Sequence, residues 1–129
     1  MKIISWNIRG CNSRLKARIL KRKIAWEKPY IVMIQETKCS EEYYRQLGEK
    51  FWKGSKTISS DSRGTAGGMG IWWNPREVDL SNFFATEHSI TSEFHIIGTR
   101  IRGCITNIYG PFLVGKKQAF VESLGDVKD

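Results

Sequence analysis

Cysteine is scarce in this sequence, and so are the other residues that would staple or metallate a small fold. There are three cysteines in 129 residues, Cys11, Cys39 and Cys104. They are odd in number, far apart, and form no Cys-x-x-Cys pair, which excludes a disulfide framework and a zinc-type ligand set. Buried free thiols are expected. The two histidines, His88 and His95, have no metal-ligand spacing, and His95 reads as an ordinary, partly exposed side chain within a strand. No apolar run approaches the ~18 residues of a membrane span. The opening Met1-Lys2-Ile3-Ile4-Ser5-Trp6 has too short an apolar stretch for a signal peptide. The expectation is a soluble intracellular protein with no membrane partner, nuclear if it acts on chromosomal DNA.

Acidic residues are also few. Lys and Arg number 21 against 13 Asp and Glu, a formal net charge of +8. A chain this basic favours polyanionic partners. Much of the excess is local: Arg14, Lys16, Arg18, Lys21, Arg22, Lys23 and Lys28 face one acid, Glu27. A solvated helix face explains such a run as well as a nucleic-acid surface does. The rest of the composition, 40% hydrophobic and 12% aromatic with five Trp and six Phe, is that of a globular chain of about one domain.

Along the chain, Ile4, Trp6 and Ile8 alternate as in a strand. Arg9-Gly10-Cys11-Asn12-Ser13 is turn chemistry. Ser13 can cap a helix whose apolar positions are Ala17, Leu20 and Ile24, and Pro29 stops it. Tyr30 to Ile34 is a continuous apolar run, a buried strand, and strand–helix–strand in this order favours a parallel pair. Ser40 caps a second helix, with Glu41 and Glu42 in its first turn and Tyr44, Leu47 and Phe51 as its stripe. Antiparallel strands follow over 56–60, 69–73, 78–86, 93–101 and 104–109, and a last helix over 117–127. The order predicts one mixed sheet with helices on its outer face.

Three polar residues end apolar strands: Asn7, Glu36 and Tyr109. In open sheets built from strand–helix units, ligands gather beyond the carboxyl ends of strands. Asn7 and Glu36 lie side by side if their strands are neighbours, and Tyr109 joins them if its strand ends at the same rim of the same sheet. Glu36 is a hard oxygen ligand suited to Mg²⁺, which keeps several waters and needs only one or two carboxylates. Asn7 can hydrogen-bond a phosphate oxygen or orient a ligand, and Tyr109 can donate its hydroxyl. Each also has a plainer reading: a solvated carboxylate, a turn residue, a core-edge tyrosine. Gly64-Thr65-Ala66-Gly67-Gly68-Met69-Gly70 lacks the Lys-Ser/Thr of a phosphate loop and precedes a strand, so it reads as a hairpin loop.

Four segments together resemble the DNase I-like endonuclease/exonuclease/phosphatase family. They are Ile4-Ser5-Trp6-Asn7-Ile8-Arg9-Gly10, Ile31-Val32-Met33-Ile34-Gln35-Glu36-Thr37, Gly67-Gly68-Met69-Gly70-Ile71-Trp72-Trp73-Asn74 and Asn107-Ile108-Tyr109-Gly110-Pro111. The first and last are most similar in wording to endonucleases of plant non-LTR retroelements. The resemblance spans residues 1–129 as the N-terminal half of the family's four-layer αββα sandwich.

It implies a Mg²⁺-dependent phosphodiester hydrolase, with Mn²⁺ as an alternative ion and DNA as a largely sequence-independent partner. Glu36 would bind the metal, Asn7 would lie beside metal and phosphate, and Tyr109 would contact the phosphate. Arg9 stands where abasic-site relatives carry an acid, which argues against that specialisation. Phe112 replaces a polar Asn found in some relatives. Gly125-Asp126-Val127-Lys128 is not the family's Gly-Asp-x-Asn, and the closing Asp-His pair has no counterpart. The resemblance therefore implies weak or no activity for this chain alone, with the C-terminal half as its packing partner. That half would cover a face to which Trp6, Trp72 or Trp73, Phe94 and Ile108 are candidate contributors. A non-catalytic retroelement remnant binding nucleic acid through its basic helix, and a phosphatase of the same family, are the alternatives.

Overall fold

The computed structural model describes residues 1–60 and 67–109. The chain opens with β1 (Ile3–Asn7), α1 (Arg14–Glu27), β2 (Ile31–Gln35) and α2 (Glu41–Phe51), followed by β3 (Lys56–Ser60) and β4 (Met69–Trp73). Both helices start where their capping serines stand. Ser13 Oγ accepts from the Lys16 amide and Ser40 Oγ from the Tyr43 amide, each satisfying a donor that the first turn leaves unpaired. Strands β5 (Val78–Ala85), β6 (Ser89–Ile96) and β7 (Arg102–Ile108) complete the described chain. The expected helix over 117–127 lies outside the described residues.

The layered α/β class is as the sequence implied, but the strands do not form one sheet. They divide into a four-stranded sheet of order β1-β2-β4-β3 and a three-stranded sheet of order β5-β6-β7. β1 and β2 are parallel, and every other pairing is antiparallel. The alternation of side chains along β2 and β4 explains the division. Val32, Ile34 and Trp72 face the helices, in a core with Leu20, Ile24, Tyr44, Leu47 and Phe51. Ile31, Ile71 and Trp73 face the other way, in a second core with Val78, Leu80, Ile90 and Ile105 of the second sheet. Both faces of the central strands are thus apolar, and the chain folds back to cover the inner one.

This corrects the expected bare face. Trp72 and Trp73 are buried, because the second sheet covers one side and the helices the other. Trp72 stacks on Tyr44 with centroids 4.3 Å apart and meets Phe51 edge-on. Trp6 is half-buried against the helix-side core and Phe94 against the inter-sheet core. Beyond the rim, β6 begins four residues earlier than its pattern predicted. The turn falls at Gly98, whose φ of +77° suits glycine. Gly103 instead lies within β7, where a Cβ would meet the Phe94 ring at 2.8 Å.

Candidate active site at the sheet rim

The parallel register pairs Asn7 with Gln35, so Asn7 and the following Glu36 stand at the same end of neighbouring strands. Pairing continues past both strands. The Ile8, Gly10 and Cys11 amides donate to the Gln35, Glu36 and Thr37 carbonyls at 3.1, 2.8 and 3.0 Å. From the opposite side, the Thr37 and Lys38 amides donate to Gly68 and Gly67 carbonyls. The Glu36–Lys38 segment is therefore fixed between the loop after β1 and the loop before β4. Gly67 is required there: a Cβ on it would lie 2.7 Å from Glu36 Cγ and 3.1 Å from Glu36 Cα.

Backbone strain gathers at this end. Arg9, Glu36 and Lys38 all take left-handed φ, at 54°, 58° and 52°. Such conformations cost non-glycine residues on the order of 1 kcal/mol each and persist only where surroundings impose them. No sequence pattern announces them.

The electrostatics are cationic around one carboxylate. Glu36 Oε1 lies 3.4 Å from Lys38 Nζ, with the Glu36 side chain only 20% exposed. Lys16 Nζ donates to the Arg9 carbonyl at 3.2 Å. Asn7 is exposed. Among the described residues no three of His, Cys, Asp and Glu gather as a metal cluster. Glu36 and Asn7 offer one carboxylate and one amide oxygen. That is a thin set for an ion held by protein alone, and it fits Mg²⁺, which retains waters and takes substrate oxygens. The Lys38 ammonium beside Glu36 shows that the carboxylate already accommodates a cation.

Tyr109 follows β7, a strand of the other sheet, contrary to the condition set by the sequence. Its amide donates to the His88 carbonyl at 2.9 Å, and its side chain packs on the inter-sheet core. What brings β7 toward β2 is a residue that the sequence reading passed over. Asn107 is fully buried. Its Nδ2 donates to the Ile34 and Gly70 carbonyls at 3.1 and 3.0 Å, and its Oδ1 accepts from Gln35 Nε2 at 2.7 Å. Gln35 Nε2 also donates to Ser5 Oγ at 3.0 Å. The available signal was polarity: Gln35 ends an otherwise apolar strand and Asn107 alternates with the core residue Ile105 along β7, and such groups need partners when buried.

The α/β/β layering is that of DNase I-like proteins, and residues 4–123 match the Endonuclease/Exonuclease/phosphatase family. The chain belongs to this family. Solved structures agree in fold. The endonuclease domain of TRAS1, a telomere-specific non-LTR retrotransposon, is 16% identical with a TM-score of 0.61, over 97% of this chain and 52% of that one. The AP endonuclease of Leishmania major is 19% identical with a TM-score of 0.61, over 97% and 46%. TDP2 of D. rerio, complexed with a single-strand DNA product, is 18% identical with a TM-score of 0.61, over 98% and 54%. The chain thus spans about half the length of these structures. No curated protein sequence matches it. Among the described residues no helix is long and apolar enough to cross a membrane.

Proposed function

We propose that this chain is the metal- and phosphate-binding part of a Mg²⁺-dependent DNA endonuclease domain of retroelement type. The observation that carries the proposal is the adjacency of Asn7 and Glu36 at one end of parallel strands, with Lys38 on the Glu36 carboxylate and Lys16 on the Arg9 carbonyl. Glu36 would hold the ion, with Asn7 beside it, and the ion would supply stabilisation of charge developing on a phosphodiester oxygen. Asn7 would orient a phosphate oxygen through its amide, and Tyr109 would donate its hydroxyl to the same group. Lys38 and Arg9 would draw the DNA backbone to the rim without reading its bases. The chain's +8 charge favours DNA over the small phosphate esters of a phosphatase.

The complete domain would need acid–base groups beyond those described at the rim. On this reading the second half of the domain supplies them and packs on this chain. A non-catalytic nucleic-acid-binding remnant is the second reading, and the six basic residues of α1 are what favour it.

The test is DNA binding followed by fluorescence anisotropy at two salt concentrations, with and without Mg²⁺ at constant ionic strength. Affinity should fall steeply with salt, because phosphate contacts release counterions. Mg²⁺ should tighten binding by the parent and leave the Glu36→Gln variant unchanged. Salt-sensitive binding on which Mg²⁺ has no effect in either protein would favour the remnant instead. Salt-insensitive binding would remove both.

A further inference from the structure

α1 carries two apolar stripes, and only one of them is used by the fold. Leu20 and Ile24 are buried in the helix-side core, with Ala17 packed against it. Leu15, Ile19 and Trp26 lie on the opposite face, 67%, 48% and 86% exposed. Surface aliphatics scattered singly need no explanation, but these are ordered. Positions 15, 19, 22 and 26 are spaced four, three and four residues apart. That is the spacing of the a and d positions through which one helix packs lengthwise on another. The seam runs about 16 Å along the helix. Its one polar member is Arg22, exposed between Ile19 and Trp26.

Charge selects what can lie on it. The positions flanking the seam are Lys16 and Lys23 on one side and Arg18 and Ala25 on the other. The helix's one acid, Glu27, is held by Lys2 Nζ at 2.9 Å and Lys23 Nζ at 3.3 Å. A second copy of this chain would set these cations against their own kind. A nucleic-acid backbone would gain from the cations but nothing from Leu15 and Ile19. A lipid surface would take Leu15, Ile19 and Trp26, but Arg22 in the middle of the stripe would have to snorkel back to the headgroups and would gain no carboxylate partner there. A helix with its own apolar seam, acidic flanks and a carboxylate opposite Arg22 satisfies every position.

We infer that the outer face of α1 is a docking site for an acidic amphipathic helix of another protein, with Arg22 as the residue that selects it. The inference is independent of the reading of the rim. It gives the outer face of α1 a protein partner and leaves DNA to the rim around Asn7 and Glu36, which α1 meets at its first turn, where Lys16 Nζ donates to the Arg9 carbonyl. Two heptads are too few for a free coiled coil, but α1 is already folded and capped, so only the partner loses conformational freedom on docking.

The test uses the whole chain and a fluorescein-labelled synthetic helical peptide. The peptide carries leucines at its seam, glutamates at its flanks and a glutamate facing Arg22. A lysine-flanked version, single-stranded DNA, and vesicles of phosphatidylcholine with phosphatidylserine serve as competing probes. The acidic peptide should bind and the lysine version should not. Trp26→Ser and Arg22→Glu should each weaken binding by about tenfold or more. Arg22→Glu should also shift preference toward a peptide with lysine at the facing position. Both residues are exposed, so the variants should retain the parent's circular dichroism. Equal binding of acidic and basic peptides, or no effect of either substitution, would overturn the inference. So would DNA or vesicle binding that Trp26→Ser abolishes while the acidic peptide does not bind, and this outcome would reassign the stripe.

Discussion

Gln35 Nε2 donates to Asn107 Oδ1 at 2.7 Å, and this bond joins the two sheets at the end that carries Glu36. Both side chains are buried. Asn107 adds two bonds to the carbonyls of Ile34 and Gly70, so one amide engages β2 and β4 at once. The cross-sheet contact sits one residue from the candidate metal ligand and two from Tyr109. Fold stability and site geometry are therefore coupled through the same pair.

Replacing Asn107 by Leu should be costly. It takes from Gln35 Nε2 its shortest partner and from two buried carbonyls a side-chain donor, with about 1–3 kcal/mol lost for a buried group left unpaired. Urea unfolding should show a loss of at least about 2 kcal/mol. The Gln35→Leu/Asn107→Leu double variant should recover part of it, because the buried Gln35 donor is removed. A loss within about 0.5 kcal/mol would place Asn107 among inconsequential surface changes.

Tyr44 should behave in the opposite way. Its ring stacks on Trp72, but its hydroxyl is buried without a hydrogen-bond partner among the described residues. Burial pushes the phenol well above its ordinary range, so it stays neutral. Tyr44→Phe retains the stacking and removes an unpaired polar group, which is neutral or stabilising. Thermal unfolding should show Tm unchanged or raised. A clear fall in Tm would mean that the hydroxyl has a partner in solution.

The cysteines should differ in reactivity. Cys104 is exposed and Cys11 buried. A hydrogen bond with Cys39, and then burial, push the Cys11 thiol up, while the thiolate is the reactive form. Iodoacetamide labelling followed by peptide mass mapping should modify Cys104 early and Cys11 last, with Cys11 reacting only as the fold opens. Early modification of Cys11 would contradict the packing of the loop after β1.

Nicking of supercoiled plasmid in Mg²⁺ should be weak or absent for this chain alone. General acid–base catalysis is typically worth about 10² to 10⁴ in rate, and the described rim offers one carboxylate for the ion. Robust nicking that Glu36→Gln abolishes would show that this much of the domain suffices.

Much of this was legible in the residues, and the rest was hidden for identifiable reasons. Ser13 and Ser40 cap as their positions predicted, since capping is local chemistry. Asn7 and Glu36 fall together because strand–helix–strand order dictates a parallel pair. The division into two sheets was not legible. An apolar run such as Ile31–Ile34 shows that both faces are covered but does not say by what. Tyr109 ended its strand as expected, yet in the other sheet, and only the three-dimensional bonds of Asn107 reveal why. The left-handed φ at Arg9, Glu36 and Lys38 has no sequence signature outside glycine and asparagine. The outer stripe of α1 was present in the spacing, masked by the basic residues around it.

On the proposed function Glu36 binds a divalent ion at this rim, and Mn²⁺ binding measured by water-proton relaxation tests this without requiring catalysis. Lysine at position 38 competes for the carboxylate, so the expected affinity is weak. The parent should enhance relaxation in a saturable way that Mg²⁺ reverses, and Glu36→Gln should lose the enhancement while keeping the parent's circular dichroism. Saturable Mn²⁺ binding that is the same in parent and Glu36→Gln, or none in the parent at millimolar ion, would contradict the account.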